Sequence, residues 1–145
     1  MARVKLNVMW FLLHASCARG DTLAAIALIE RGASVNEKDF FGTHLHIACL
    51  NGHTATAVAL IERGASVNEK GIGGTPLHFS CDDGHTATAV ALIERGASVD
   101  EKDQFGKTPL HLACRSGHTA TFEVACKLDE NWSMRMPYAM FLSSI

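Results

Sequence analysis

Gly52-His53-Thr54-Ala55-Thr56-Ala57-Val58-Ala59-Leu60-Ile61-Glu62-Arg63-Gly64-Ala65-Ser66-Val67 returns without a change as Gly84–Val99. Leu28–Lys38 already carries the end of the same block one period earlier, and Gly117–Thr121 reopens it one period later. The offset is 32 residues for the first two steps and 33 for the last. Self-similarity at a fixed period means one supersecondary unit stacked several times. Such a unit buries its apolar face only against its neighbours, so the chain reads as a short solenoid.

Local signals within each period agree with two helices. Thr75 and Thr108 each precede a proline, which suits an N-cap followed by Pro at the first helical position. Leu77, Ser80 and Cys81 share one face of a short helix, which Gly84 ends. His85, Ala89, Leu92 and Ile93 form a stripe at helical spacing on a second helix. Gly96 follows Glu94-Arg95, where a C-cap glycine takes φ > 0 without steric cost. Asn36, Asn68 and Asp100 then open the next connection.

Thr75-Pro76-Leu77-His78 and Thr108-Pro109-Leu110-His111, followed by Cys81 and Cys114 and then Gly84-His85 and Gly117-His118, resemble the ankyrin repeat, whose period is about 33 residues. The likeness runs from about Phe11 to Leu128. It implies an all-α solenoid of helix-turn-helix units joined by β-hairpin loops. The units span about residues 1–38, 39–70, 71–102 and 103–128, leaving 129–145 as an apolar tail. It also implies binding of a partner protein as the activity.

Composition removes several other classes. The chain has 145 residues and a net charge of −2, with Lys and Arg scattered, so it shows no electrostatic footprint for nucleic acid. No apolar stretch reaches the roughly 18 residues of a membrane span. Gly71-Ile72-Gly73-Gly74 is glycine-rich but lacks the Lys-Ser/Thr of a phosphate loop. Small-molecule substrates and cofactors have no evident site.

Five cysteines and eight histidines raise the question of metal or thiol chemistry. Cys17, Cys49, Cys81 and Cys114 hold one repeat position, three residues after His14, His46, His78 and His111. Equivalent residues of adjacent units lie about 8–10 Å apart. That is too far for a disulfide or for a shared zinc ion. These thiols read as small buried hydrophobes, and the histidines as ties between inner helix and hairpin. No base and orienting group accompany any thiol, so the chain reads as a non-enzyme. Odd count and unpaired spacing favour a reducing, intracellular compartment, cytoplasmic or nuclear.

The ends are atypical. Phe11-Leu12-Leu13-His14 replaces Thr-Pro-Leu-His and no hairpin precedes it, so unit one reads as an N-terminal cap. Met1–Lys5, the apolar Leu6–Leu13 and Ser16-Cys17-Ala18 could pass as a secretory leader. The register of His14, Cys17 and Gly20 with His46, Cys49 and Gly52 favours a helix of the stack instead. Asn131-Trp132-Ser133 would be a glycosylation acceptor only on a secreted chain. Asp129 replaces the terminating glycine of the other outer helices, and Met134, Met136, Tyr138, Met140 and Phe141 follow as a capping or frayed tail. That loss of pattern also allows the alternative of a targeting or regulatory ankyrin segment of a longer multidomain protein or enzyme.

Differences between units collect at two places. Loop tips read Phe40-Phe41, Ile72-Gly73 and Gln104-Phe105-Gly106-Lys107, and inner-helix ends read Leu50-Asn51, Asp82-Asp83 and Arg115-Ser116. In the ankyrin family these positions line the groove that contacts partners. The resemblance therefore makes Phe40, Phe41, Leu50, Asn51, Ile72, Asp82, Asp83, Gln104, Phe105, Lys107 and Arg115 the candidate contact residues. Surface turns also drift for want of constraint. Large apolar groups at Phe40, Phe41, Ile72 and Phe105 argue for contact anchors. Units two and three lack the residue between tip glycine and capping Thr, and His44 replaces the proline of unit two, which puts their hairpin geometry in question.

Overall fold

The computed structural model describes residues 2–129, with side chains from Val8 onward. They form α1 (Ala2–Arg19), α2 (Thr22–Glu30), α3 (His44–Leu50), α4 (Thr54–Glu62), α5 (Pro76–Asp82), α6 (Thr86–Glu94), α7 (Pro109–Arg115) and α8 (Thr119–Leu128). The helices pair as inner and outer members of four units. Inner helices pack in series, α1 on α3, α3 on α5 and α5 on α7, and outer helices do the same, α2 on α4, α4 on α6 and α6 on α8.

Sequence dictates where each helix starts. Thr43, Thr75 and Thr108 are extended N-caps, and Pro76 and Pro109 take the first helical position of α5 and α7. A histidine three residues on completes each cap. His46 Nδ1 accepts the N–H of Thr43 at 2.9 Å, and His78 Nδ1 accepts that of Thr75 at 3.0 Å. His111 Nδ1 accepts the N–H of Thr108 at 3.2 Å. With Nδ1 an acceptor, the proton sits on Nε2. His46 Nε2 donates to the Gly74 carbonyl at 3.1 Å and His78 Nε2 to the Lys107 carbonyl at 2.8 Å. One side chain thus caps its own helix and ties down the loop of the next unit.

The core runs along the stack. Leu13, Leu45, Leu77 and Leu110 fill it from the inner helices, and Leu60 and Leu92 from the outer ones. Each such leucine contributes about 1.5–3 kcal/mol on burial. The last unit solves the packing differently. Phe122 stands where Ala57 and Ala89 stood, and Ala125 where Leu60 and Leu92 stood, all of them buried. A large residue has moved one turn along the helix and the volume is kept. Phe122, Ala125 and Cys126 face inward while Glu123 and Lys127 are exposed, as their spacing requires.

Hydroxyls and amides lace the units together. Thr22 pairs with Thr56, Thr54 with Thr88 and Thr86 with Thr121, each oxygen pair 2.7 Å apart. Asn36 Nδ2 donates to the Gly64 carbonyl at 2.9 Å while its Oδ1 accepts the Ser66 N–H at 2.8 Å. Asn68 repeats this on Gly96 and Ser98.

The expected hairpin loops are present as tight turns. Asp39 N–H donates to the Gly42 carbonyl, Gly71 N–H to that of Gly74 and Asp103 N–H to that of Lys107. Gly71 and Gly74 form an isolated antiparallel bridge, and no strand extends from it among the described residues. The two short steps are absorbed by glycine. Gly42 and Gly74, with φ of 146° and 107°, sit directly before the capping Thr, where unit four has Lys107. A Cβ on either would come within 2.6–2.7 Å of the His46 or His78 ring. The shortened loop therefore needs a residue without a side chain beneath the imidazole.

The first unit pairs α1 with α2. Leu13 and Cys17 are fully buried in the same core as Leu45 and Cys49, and Ser16 is 2% exposed. Within the stretch that could pass as a leader, Leu13, Ser16 and Cys17 are thus packed against the stack. The apolar tail and the acceptor at Asn131 lie outside the described residues.

Candidate functional site

Two of the three loop tips are built alike. Asp39 Oδ1 accepts the N–H groups of Phe41 and Gly42 at 2.8 and 3.1 Å. Asp103 Oδ1 accepts those of Phe105 and Lys107, each at 2.9 Å. Such Asx turns fix the backbone without help from the core. They hold Phe40, Phe41 and Phe105 at 76%, 54% and 74% exposure. Phe40 and Phe41 meet edge to face, with ring centroids 6.1 Å apart.

The middle loop differs. Gly71 replaces the Asp, and Ile72 N–H donates to the Phe41 carbonyl at 3.2 Å, so this loop leans on the one before it. A Cβ at Gly71 would collide with that carbonyl oxygen, so only glycine allows the approach. Ile72 is half-buried as a result and does not project as the phenylalanines do.

At the inner-helix ends the charges of units three and four meet. Asp82 accepts the Ser116 hydroxyl at 2.9 Å and lies 3.6 Å from the Arg115 guanidinium, so the acid of unit three and the base of unit four form one surface pair. Asp83 and Lys107 both remain exposed. Gln104 is exposed at its tip. Leu50 is 37% exposed, and Asn51 Nδ2 donates to the Ile47 carbonyl at 3.1 Å.

The thiols occupy a different environment. Cys17, Cys49 and Cys81 are fully buried, and burial pushes each up to about 12. Burial also pushes Cys126 up to about 11. They are neutral thiols at pH 7, not the thiolate that attacks or binds metal. Cys114 is half-buried, less covered than the shared repeat position suggested. The reason is its place in the last unit, since α7 packs on α5 and α8. Among the described residues no group of three or more His, Cys, Asp or Glu could hold a metal ion. Nor is any described helix long and apolar enough to cross a membrane.

Sequence reading missed the Thr–Thr and Asn ladders. Their signal was available in the Thr-x-Thr of the outer helices and in Asn36 and Asn68, each directly after an Ala-Ser-Val. Position alone did not say that these side chains pair between units.

A family model described as ankyrin repeats (3 copies) matches residues 3–71 and again 68–133. Comparison with curated proteins gives no match. The capped inner helices, their histidine ties, the glycine-ended outer helices and the family match lead to one assignment: the chain belongs to the ankyrin-repeat family, whose members are generally protein–protein interaction modules.

Proposed function

We propose that this chain binds a partner protein through its loop tips, with Phe40, Phe41 and Phe105 as apolar anchors and the exposed inner-helix ends beside them. One observation carries the reading: three phenylalanines stand more than half exposed on turns that two aspartates hold by hydrogen bonds. A drifting surface loop has no reason to fix an aromatic residue in water. Aromatic groups held rigid at low entropic cost are the usual anchors of interfaces. Leu50, Asn51 and Ile72 supply flatter contact between the anchors. Asp83, Lys107 and Gln104 set the partner's orientation more than its affinity, and the Asp82–Arg115 pair adds little because it is already satisfied.

Phe41→Ala with Phe105→Ala tests this, using a partner captured by the intact chain. The double variant keeps its helical circular dichroism, because both side chains lie outside the core. Its affinity falls at least tenfold, as expected when anchors each worth upwards of about 1 kcal/mol are lost. Unchanged affinity in a folded variant rejects the tips as the binding surface.

A further inference from the structure

His44 stands at the first residue of α3, where units three and four carry Pro76 and Pro109. It is 1% exposed, and neither ring nitrogen has a hydrogen-bond partner. Two polar atoms buried without partners are unfavourable and call for a reason. The sister units show that the stack does not need them. Their surroundings come from α1. The Trp10 ring lies 5.4 Å from that of His44 and the His14 ring 6.0 Å, while Trp10 and His14 stack on each other at 4.9 Å. This aromatic cluster joins α1 to α3.

We propose that the Trp10–His14–His44 cluster is an acid-sensitive latch, in which protonation of the buried imidazole releases α1 from α3 while units two to four stay stacked. Among the described residues α1 packs chiefly on α2 and α3, whereas α3 packs on α1, α4 and α5, so α1 has fewer contacts to lose and opens first. Closed, the cluster holds a neutral imidazole in an apolar socket. A proton places a charge there beside a second histidine, and opening returns both to water.

The groups that act on His44 decide the pH range. Burial is the largest, holding it down to about 4 from the ordinary 6.5. His14, from α1, opposes protonation, and Asp39, from the loop ahead of α3, favours it by a smaller margin. On α3 itself His46 is also held low by burial, but its ring meets Phe79 of α5 and its nitrogens bond Thr43 and Gly74. That residue guards the junction of units two and three, not the cap. Since the closed value lies below the open one, the latch is at full strength above pH 6.5 and is lost as the pH falls toward 4. Relative to its high-pH value the opening equilibrium rises about 30-fold by pH 5 and about 150-fold by pH 4, and it approaches its limit of roughly 300-fold only below that.

Hydrogen exchange of the α1 amides in the full chain, corrected for its intrinsic pH dependence, measures this opening. The expected result is a rise of about 20-fold in opening between pH 7 and pH 5, confined to unit one. His44→Pro, which restores Thr-Pro-Leu-His, keeps α1 closed to the same degree at both pH values. If that variant fails to fold, His44→Leu serves, since Leu12 holds this position in unit one. A rise below threefold in the parent chain overturns the latch, as does an equal rise in the variant. Exchange that increases together in all units also overturns it, because acid would then be melting the whole stack.

Discussion

Leu60→Ala tests the packing logic at one point. Leu60 is fully buried between α4 and the neighbouring units, and a Leu→Ala change in such a site costs about 2–5 kcal/mol from lost transfer energy plus the cavity left behind. Within that range the upper half is expected, because Leu60 is flanked by the small Ala57 and Ala59, which cannot swing into the space. The last unit shows how the loss can be repaired. It carries Phe122 and Ala125 at the positions of Ala57 and Leu60. Ala57→Phe added to Leu60→Ala should therefore recover part of the loss, whereas Ala57→Phe alone should overpack the unit by about 1–3 kcal/mol. Urea denaturation followed by circular dichroism supplies the midpoints. As the control, Val58 is half-buried and its counterpart in the last unit is the exposed Glu123, so Val58→Lys should cost less than about 1 kcal/mol. Equal damage from Val58→Lys and Leu60→Ala would refute the helical register. A double variant weaker than either single one would refute the volume exchange.

Two further outcomes follow from the same contacts. Cys17, Cys49 and Cys81 should resist a polar thiol reagent in the native state and react fully once unfolded, whereas half-buried Cys114 should react natively and first; uniform rapid labelling would contradict the burial. Gly74→Ala should cost more than Gly64→Ala, because both residues have positive φ but only at Gly74 does the new Cβ meet an imidazole, at 2.7 Å from His78. The backbone share is about 1–3 kcal/mol in each, so equal melting temperatures would mean that the ring moves freely.

The fold was legible because its signals are local and recur from unit to unit. Thr-Pro caps, glycine terminators and the Ala89–Leu92 stripe each name their own position in a helix, and the structure has them there. Inter-unit partners were not legible. The Thr22–Thr56 pair joins residues 34 apart in sequence, and nothing in Thr22 announces Thr56. The surface ion pair was not legible for a similar reason. Asp82 and Arg115 lie in different units, and their pairing depends on the stacking distance, not on either residue. Ile72 was expected at a tip like its neighbours. The absence of an Asx-forming aspartate in that loop was visible as Gly71, but its consequence, a loop that leans on the Phe41 carbonyl, depends on the third dimension.

The unchanged block and the changing tips have one explanation. Within Gly52–Val67 and its copy, His53 and His85 reach back to the Ala18 and Leu50 carbonyls at 3.0 Å. Thr54 and Thr86 reach forward to the next unit, and Ala65 and Ala97 are buried beside the connection. A change at His53, Thr54, His85 or Thr86 disturbs two units at once, because each side chain bonds across a unit boundary. Phe40, Gln104 and Phe105 carry no such duty: the hydrogen bonds of their turns come from backbone and from Asp39 or Asp103. Their side chains are free to differ without cost to the stack. A position free of structural duty would drift toward polar residues in water, because exposed apolar surface gains nothing there. Two of the three loops instead keep phenylalanine at the outermost point, and both keep the aspartate that fixes it. Freedom from the stack together with a fixed aromatic residue is what a recognition surface requires, and the tips are where this chain has both.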